Sequence, residues 1–198
     1  MAHRRKPPAR TAPGVTAESL ERSAAYYLER YSSSRENLRR VLMRRVRRAS
    51  LDPEAGEGAA ENGKRLVDAL IERYAASGLI DDKRYAEHKA VRLARGGASR
   101  FQIRGKLMQK GVERDEIAGA IASLDNDAEN SELAAACALI RKRRLGPYRA
   151  APERIKFRDK DLATLARAGF RLDLARRLLR AKDRDTLEAW ARGEGEPD

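Results

Sequence analysis

Two short segments combine residue types that could do chemistry. Asp81-Asp82, followed by Glu87-His88-Lys89, offers carboxylates that can hold Mg²⁺ and a lysine that can position water, the parts of a metal-dependent nuclease. Such a site needs carboxylates arriving from separate elements, and no second acidic cluster stands out. Helix capping explains the Asp pair, and Glu87, His88 and Lys89 fit an exposed helix face. Gly58-Ala-Ala-Glu-Asn-Gly63-Lys64-Arg65 has the glycine and lysine spacing of a phosphate-binding loop. Arg65, however, stands where the Mg²⁺-binding Ser or Thr is needed, and no strand precedes it. A loop followed by a helix start is the better reading. Cys137 is the only cysteine, which excludes a Cys-rich zinc module and a disulfide scaffold, and His3 and His88 are the only histidines, which leaves few candidates for a histidine triad or a His-rich zinc site. No catalytic residue, cofactor site or metal site is assigned.

What remains is charge. Among 198 residues, 43 Lys and Arg face 30 Asp and Glu, a formal +13 that favours a polyanion or an acidic protein surface as partner. The helix expected over 34–48 carries Arg35, Arg39, Arg40, Arg44, Arg45, Arg47 and Arg48 against one acid, Glu36, around an apolar stripe of Leu38, Val41, Leu42 and Val46. A second basic helix carries Arg100, Arg104, Lys106 and Lys110. A third patch holds Arg141, Arg143 and Arg144, continued by Arg149, Arg154, Lys156, Arg158 and Lys160. Aromatics make up only 5% of the chain, which leaves few rings for stacking on bases.

The elements that position these faces are helices. Apolar spacing is helical from about Thr16 onward, and no segment alternates like a strand. Ser33 with Glu36 and Ser99 with Gln102 have capping-box spacing, and Asp52-Pro53 offers an N-cap with Pro at the first helical position. Asp81 or Asp82 can cap the next helix, and Gly78, Gly96-Gly97 and Gly111 sit where helices should stop. The longest apolar run, Leu133 to Ile140, is too short to cross a bilayer. The first fourteen residues, charged and without an apolar core, read as a disordered basic arm.

Internal repetition organises the helices. Ser34, Arg35, Leu42 and Met43 recur 65 positions later as Ser99, Arg100, Leu107 and Met108, and Ala25, Leu28 and Arg30 as Ala90, Leu93 and Arg95. For the next helix the offset falls to 51, pairing Leu66 and Leu70 with Ile117 and Ile121, so the first unit holds an insertion, placed in the acidic, Gly-rich stretch 51–63. Fainter echoes of Ala86 and Arg95 in Ala134 and Arg143, and of Leu107 and Gly111 in Leu165 and Gly169, define a third unit. The expectation is an all-α, elongated tandem array of three three-helix, helix-turn-helix-like repeats. Their expected limits are 16–79, 80–124 and 125–187, between a basic arm at 1–15 and a polar tail at 188–198.

Leu79-Ile80-Asp81-Asp82-Lys-Arg-Tyr85-Ala86, then Arg92, Gly96-Gly97, Ile103, Leu107 and Lys110-Gly111-Val112, resembles the central block of the RecX regulatory proteins of bacteria. Ala24-Ala25-Tyr-Tyr-Leu28 through Leu38 resembles that family's first unit, and Leu165-Ala-Arg-Ala-Gly169-Phe170 its third. The resemblance covers roughly residues 16–182. It implies an array of three-helix repeats without catalytic residues. It also implies binding to the RecA recombinase filament with inhibition of ATP hydrolysis, strand exchange and co-protease activity, and so a place in recombinational DNA repair and the SOS response. A cytoplasmic monomer is expected, with no membrane contact. The basic faces are then the partner surface: Arg35, Arg39, Arg40, Arg44 and Arg47, Arg100, Arg104, Lys106 and Lys110, and Arg141, Arg143 and Arg144. DNA phosphate is the second candidate for these faces, which gives the alternative of a sequence-independent DNA-binding protein. The insertion 51–63 and the Arg44-Arg45-Val46-Arg47-Arg48 helix end differ from the family's usual short Lys-Gly joint.

Overall fold

A computed structural model describes residues 15–125 and 131–195; the expected basic arm, with His3, lies outside the described residues up to residue 14. Among the described residues there are ten α-helices and no strand. The chain divides into two compact units, one ending at Ile80 and one starting at Asp81.

The first unit contains α1 (Ala17–Leu28), α2 (Arg35–Ser50), a 3₁₀ turn at Pro53–Ala55 and α3 (Ala59–Ala76). Leu20, Ala24, Leu38, Leu42, Val46, Val67, Leu70 and Ile71 form its core. These are the residues that helical spacing places on one stripe of each helix, and burying them outweighs the modest intrinsic stability of helices this short. The N-cap of α2 is Ser34, whose Oγ accepts from the Asn37 N–H at 3.2 Å. The expected Ser33–Glu36 box is therefore one residue out of register, because the Asn37 side-chain amide donates to Ser33 Oγ at 2.7 Å. Asp52-Pro53 opens only the 3₁₀ turn, and the 51–63 insertion also supplies the first turn of α3.

Gly63 lies buried inside α3, where a Cβ would sit 2.5 Å from Val46 Cγ1. The two longest helices of this unit approach so closely because that Cβ is missing. Gly63→Ala gains helix propensity, about 1 kcal/mol, but drives a methyl into a β-branched side chain with few rotamers. Overpacking of this kind costs about 1–3 kcal/mol. The expected result is a lower melting temperature by circular dichroism, recovered in part by adding Val46→Ala. A raised melting temperature for the single variant would refute the close approach.

The second unit starts with α4 (Asp82–Arg95), α5 (Arg100–Gln109) and α6 (Arg114–Asp125), joined by a core of Ala86, Ala90, Ile103, Leu107, Ile117 and Leu124. Asp81 caps α4, accepting the Arg84 N–H at 2.9 Å, and Ser99 caps α5. It continues with α7 (Glu132–Arg143), a 3₁₀ turn at Gly146–Tyr148, α8 (Ala151–Arg167), α9 (Leu172–Leu179) and α10 (Arg184–Ala191). These surround a separate core of Ala135, Cys137, Ile140, Leu165, Phe170, Leu178 and Leu187. Burial pushes the Cys137 thiol up to about 12, so it remains protonated as a small core residue.

The two cores of this unit are joined by close backbone approaches. Ser99 Oγ, which accepts from the Gln102 N–H, also donates to the Ala168 carbonyl. Gly97, at φ 84°, leaves no room for a Cβ against the backbone of Leu139. The tail expected from residue 188 begins instead inside α10. Asp183 caps this helix, Leu187 is buried, and Trp190 and Ala191 pack on the third core. Three apolar contacts on one stripe suffice to order a short helix that its polar neighbours disguise.

Candidate partner interface

The structure gathers part of the expected basic surface and disperses the rest. On α2, Arg39, Arg40, Arg44 and Arg47 line one groove of about 560 Å³ together with Met43, Glu36 and Lys64 of α3. Arg35 does not line it. The cations there are not equivalent. Arg39 Nε donates to Asp68 Oδ1 at 2.7 Å, a bond that holds its guanidinium above its ordinary pKa, and Arg40 Nε donates to Glu36 Oε1 at 2.7 Å. Arg44, Arg47 and Lys64 make no ion pair among the described residues, so they supply the groove's uncompensated charge. Lys64, which the sequence offered only as a phosphate-loop residue, thus lines the same groove as the α2 cations. The supposed phosphate loop is dismantled by helix geometry: Gly58 is the N-cap of α3, and the Asn62 N–H is already bonded to the Gly58 carbonyl at 2.9 Å. On the other side of α2, Arg44, Arg45 and Arg48 border a cavity of about 430 Å³ floored by Val15, Val41, Leu42 and Ala49.

The α5 cations do not share a face. At about 100° per residue, Arg100 and Arg104 fall on one flank of the helix and Lys106 and Lys110 on the other. Arg100 faces inward, with its Nε 3.5 Å from Glu132 Oε2 and its backbone N–H on the same carboxylate at 3.1 Å, and so serves the joint between the two cores. Lys106 and Lys110 instead lie near enough to α4 for their charge to act on Lys89, as that of Arg92 does. Burial, and then repulsion from Arg92, Lys110 and Lys106, lower the pKa of the half-buried Lys89 ammonium. The charges of three neighbouring cations from the two helices thus act on one ammonium. Sequence reading missed Lys89 and Arg92 here, although their spacing on one side of Ala90 and next to the core stripe was the available signal.

In the third patch, Arg141 is tied to Glu188 at 2.7 Å, and Glu188 also accepts from the Tyr148 hydroxyl. Arg143 and Arg144 are exposed, Arg144 at φ 53°, the left-handed position that ends α7. Arg149 and Arg154 are structural. Arg149 forms a two-pronged pair with buried Asp161, both bonds 2.8 Å, and Arg154 donates to the carbonyls of Pro147, Arg149 and Lys182. Among the described residues no three His, Cys, Asp or Glu side chains come together as metal ligands. Asp81 is spent on capping, Asp82 is buried at the start of α4, and His88 is exposed. No helix among the described residues is long and apolar enough to cross a membrane.

Fold and surface together define the class: an all-α protein built from three-helix units, with a groove lined by cations between α2 and α3. Residues 81–121 match the family profile described as RecX, second three-helix domain. Across the longer chain, the regulatory protein RecX of Myxococcus xanthus is 40% identical over 168 residues, covering 83% of this chain and 86% of that protein. Those of Agrobacterium fabrum and Halorhodospira halophila are 30% and 31% identical, covering 79% and 87% of this chain and 79% and 93% of theirs. The chain belongs to the RecX family and is a regulatory protein of that kind. No solved structure matches it.

Proposed function

We propose that this chain docks on the RecA–DNA filament and restrains RecA, lowering its ATP hydrolysis, strand exchange and co-protease activity. It acts as a monomer in the bacterial cytoplasm. The observation that carries this reading is the α2–α3 groove, where Arg44, Arg47 and Lys64 stand together and make no ion pair among the described residues. Such a groove attracts acidic protein surface from a distance and fixes its orientation on contact. A second reading, sequence-independent DNA binding, draws support from α5, which contains no acid and exposes Arg104 and Lys106 to a phosphate backbone.

Salt separates the two. Phosphate contacts alone release counterions and lose orders of magnitude in affinity between about 50 and 200 mM salt. A filament contact adds buried apolar area, which salt hardly screens. Anisotropy titrations on a RecA–single-stranded DNA filament and on the bare strand should therefore show tighter filament binding, with an advantage that grows across this range. RecA ATPase on single-stranded DNA should fall when the protein is added. Equal affinities with equal salt slopes, and an unchanged ATPase, would leave DNA binding as the function.

A further inference from the structure

The outward face of α5 is apolar as well as basic. Helix α5 buries Ile103 and Leu107 on one side, and its opposite side also bears large apolar groups: Phe101 is 70% exposed and Met108 51% exposed. Positions 101, 105 and 108 are spaced one turn apart and form a single ridge. The middle of that ridge is Gly105, where an added Cβ would have nothing within 4 Å, so a partner's backbone can approach closely. Arg104 flanks the ridge on one side and Lys106 on the other, both exposed, and α5 contains no acid. An apolar strip between cations is complementary to a protein surface with an apolar centre and an acidic rim. A nucleic acid strand would match the cations but would leave Met108 against sugar and phosphate.

We infer that the Phe101–Gly105–Met108 ridge of α5 is a docking surface for a protein with an apolar, acid-rimmed patch. Resting on the reading above, that protein is RecA in the filament rather than the DNA it carries. Cations on both flanks orient the docked surface, while the ridge supplies the salt-resistant part of the affinity.

Gly105→Trp tests this directly, because the site is open: the fold accommodates the indole and a docked partner does not. Met108→Glu is the second variant; it sets a carboxylate against the acidic rim and keeps the test alive if the first variant melts early. Binding of wild type and both variants would be measured by anisotropy on the RecA–single-stranded DNA filament and on the bare oligonucleotide, with circular dichroism as the folding control. Filament affinity should fall by roughly tenfold or more in each folded variant, as expected for a central apolar anchor, while affinity for the bare strand stays at the wild-type value. Variants that bind the filament like wild type overturn the assignment of this face and leave the RecA reading intact. Equal losses on filament and bare strand also overturn it, making the ridge a nucleic-acid contact. Wild-type protein that ignores the filament overturns both.

Discussion

Replacing Arg44, Arg47 and Lys64 together by Glu is expected to cut affinity for the RecA–DNA filament by roughly a hundredfold or more, since turning attraction into like-charge contact at an interface costs several kcal/mol. All three side chains line the α2–α3 groove, and none makes an ion pair among the described residues, so the fold loses little. Glu is also a strong helix former, so the circular dichroism spectrum should match that of wild type. Arg39 is left out because it is bonded to Asp68; reversing it would place two carboxylates face to face. The single variant Arg39→Glu should instead lower the melting temperature. A folded triple variant that still inhibits RecA ATPase at wild-type concentrations would remove the groove from the mechanism.

The largest stability effect is expected in the third core. Asp161 is only 1% exposed, and its carboxylate receives both prongs of Arg149 as well as the Gly146 N–H at 2.9 Å. Its removal leaves a largely buried guanidinium and a buried amide without their acceptor. Breaking a buried pair from one side in this way costs about 3–5 kcal/mol. Asp161→Ala should therefore unfold at much lower urea, whereas the double variant Asp161→Leu with Arg149→Met should regain much of the loss, since an apolar pair avoids the desolvation cost. A loss below about 1 kcal/mol for Asp161→Ala would mean the pair is worth no more than an exposed one.

These cases also mark what was legible beforehand. Helical stripes such as Leu38–Leu42–Val46, the caps Ser99 and Asp81, and the glycine stops at 78 and 111 are local signals, set by spacing within a few residues. The structure reproduces them. Local signals can still slip by one position, as Ser33 and Ser34 show, because either hydroxyl could serve until the Asn37 side chain chooses.

Distant pairings were not legible. Nothing near Arg39 announces Asp68 across 29 residues, and nothing near Lys106 announces Lys89. The count of cations therefore survived the step to three dimensions better than their grouping. Arg149, Arg154 and Arg100 turned inward to serve the fold, while Lys64 and Arg92 joined the exposed basic surface beside the half-buried Lys89. Gly63 illustrates the same limit, since its value lies in Val46, a residue on another helix.

The placement of Trp190 determines what light can report about this molecule. It is the only tryptophan in the chain, and it packs on the core of Ile140, Leu165 and Leu187. Intrinsic emission is therefore a local probe of that core. A urea curve followed at tryptophan wavelengths will register Asp161→Ala in full and be blind to loosening confined to α1–α3. Disagreement between an emission curve and a far-ultraviolet dichroism curve would then be informative in itself, since it would show that the part preceding Asp81 and the part containing Trp190 melt as separate cooperative blocks.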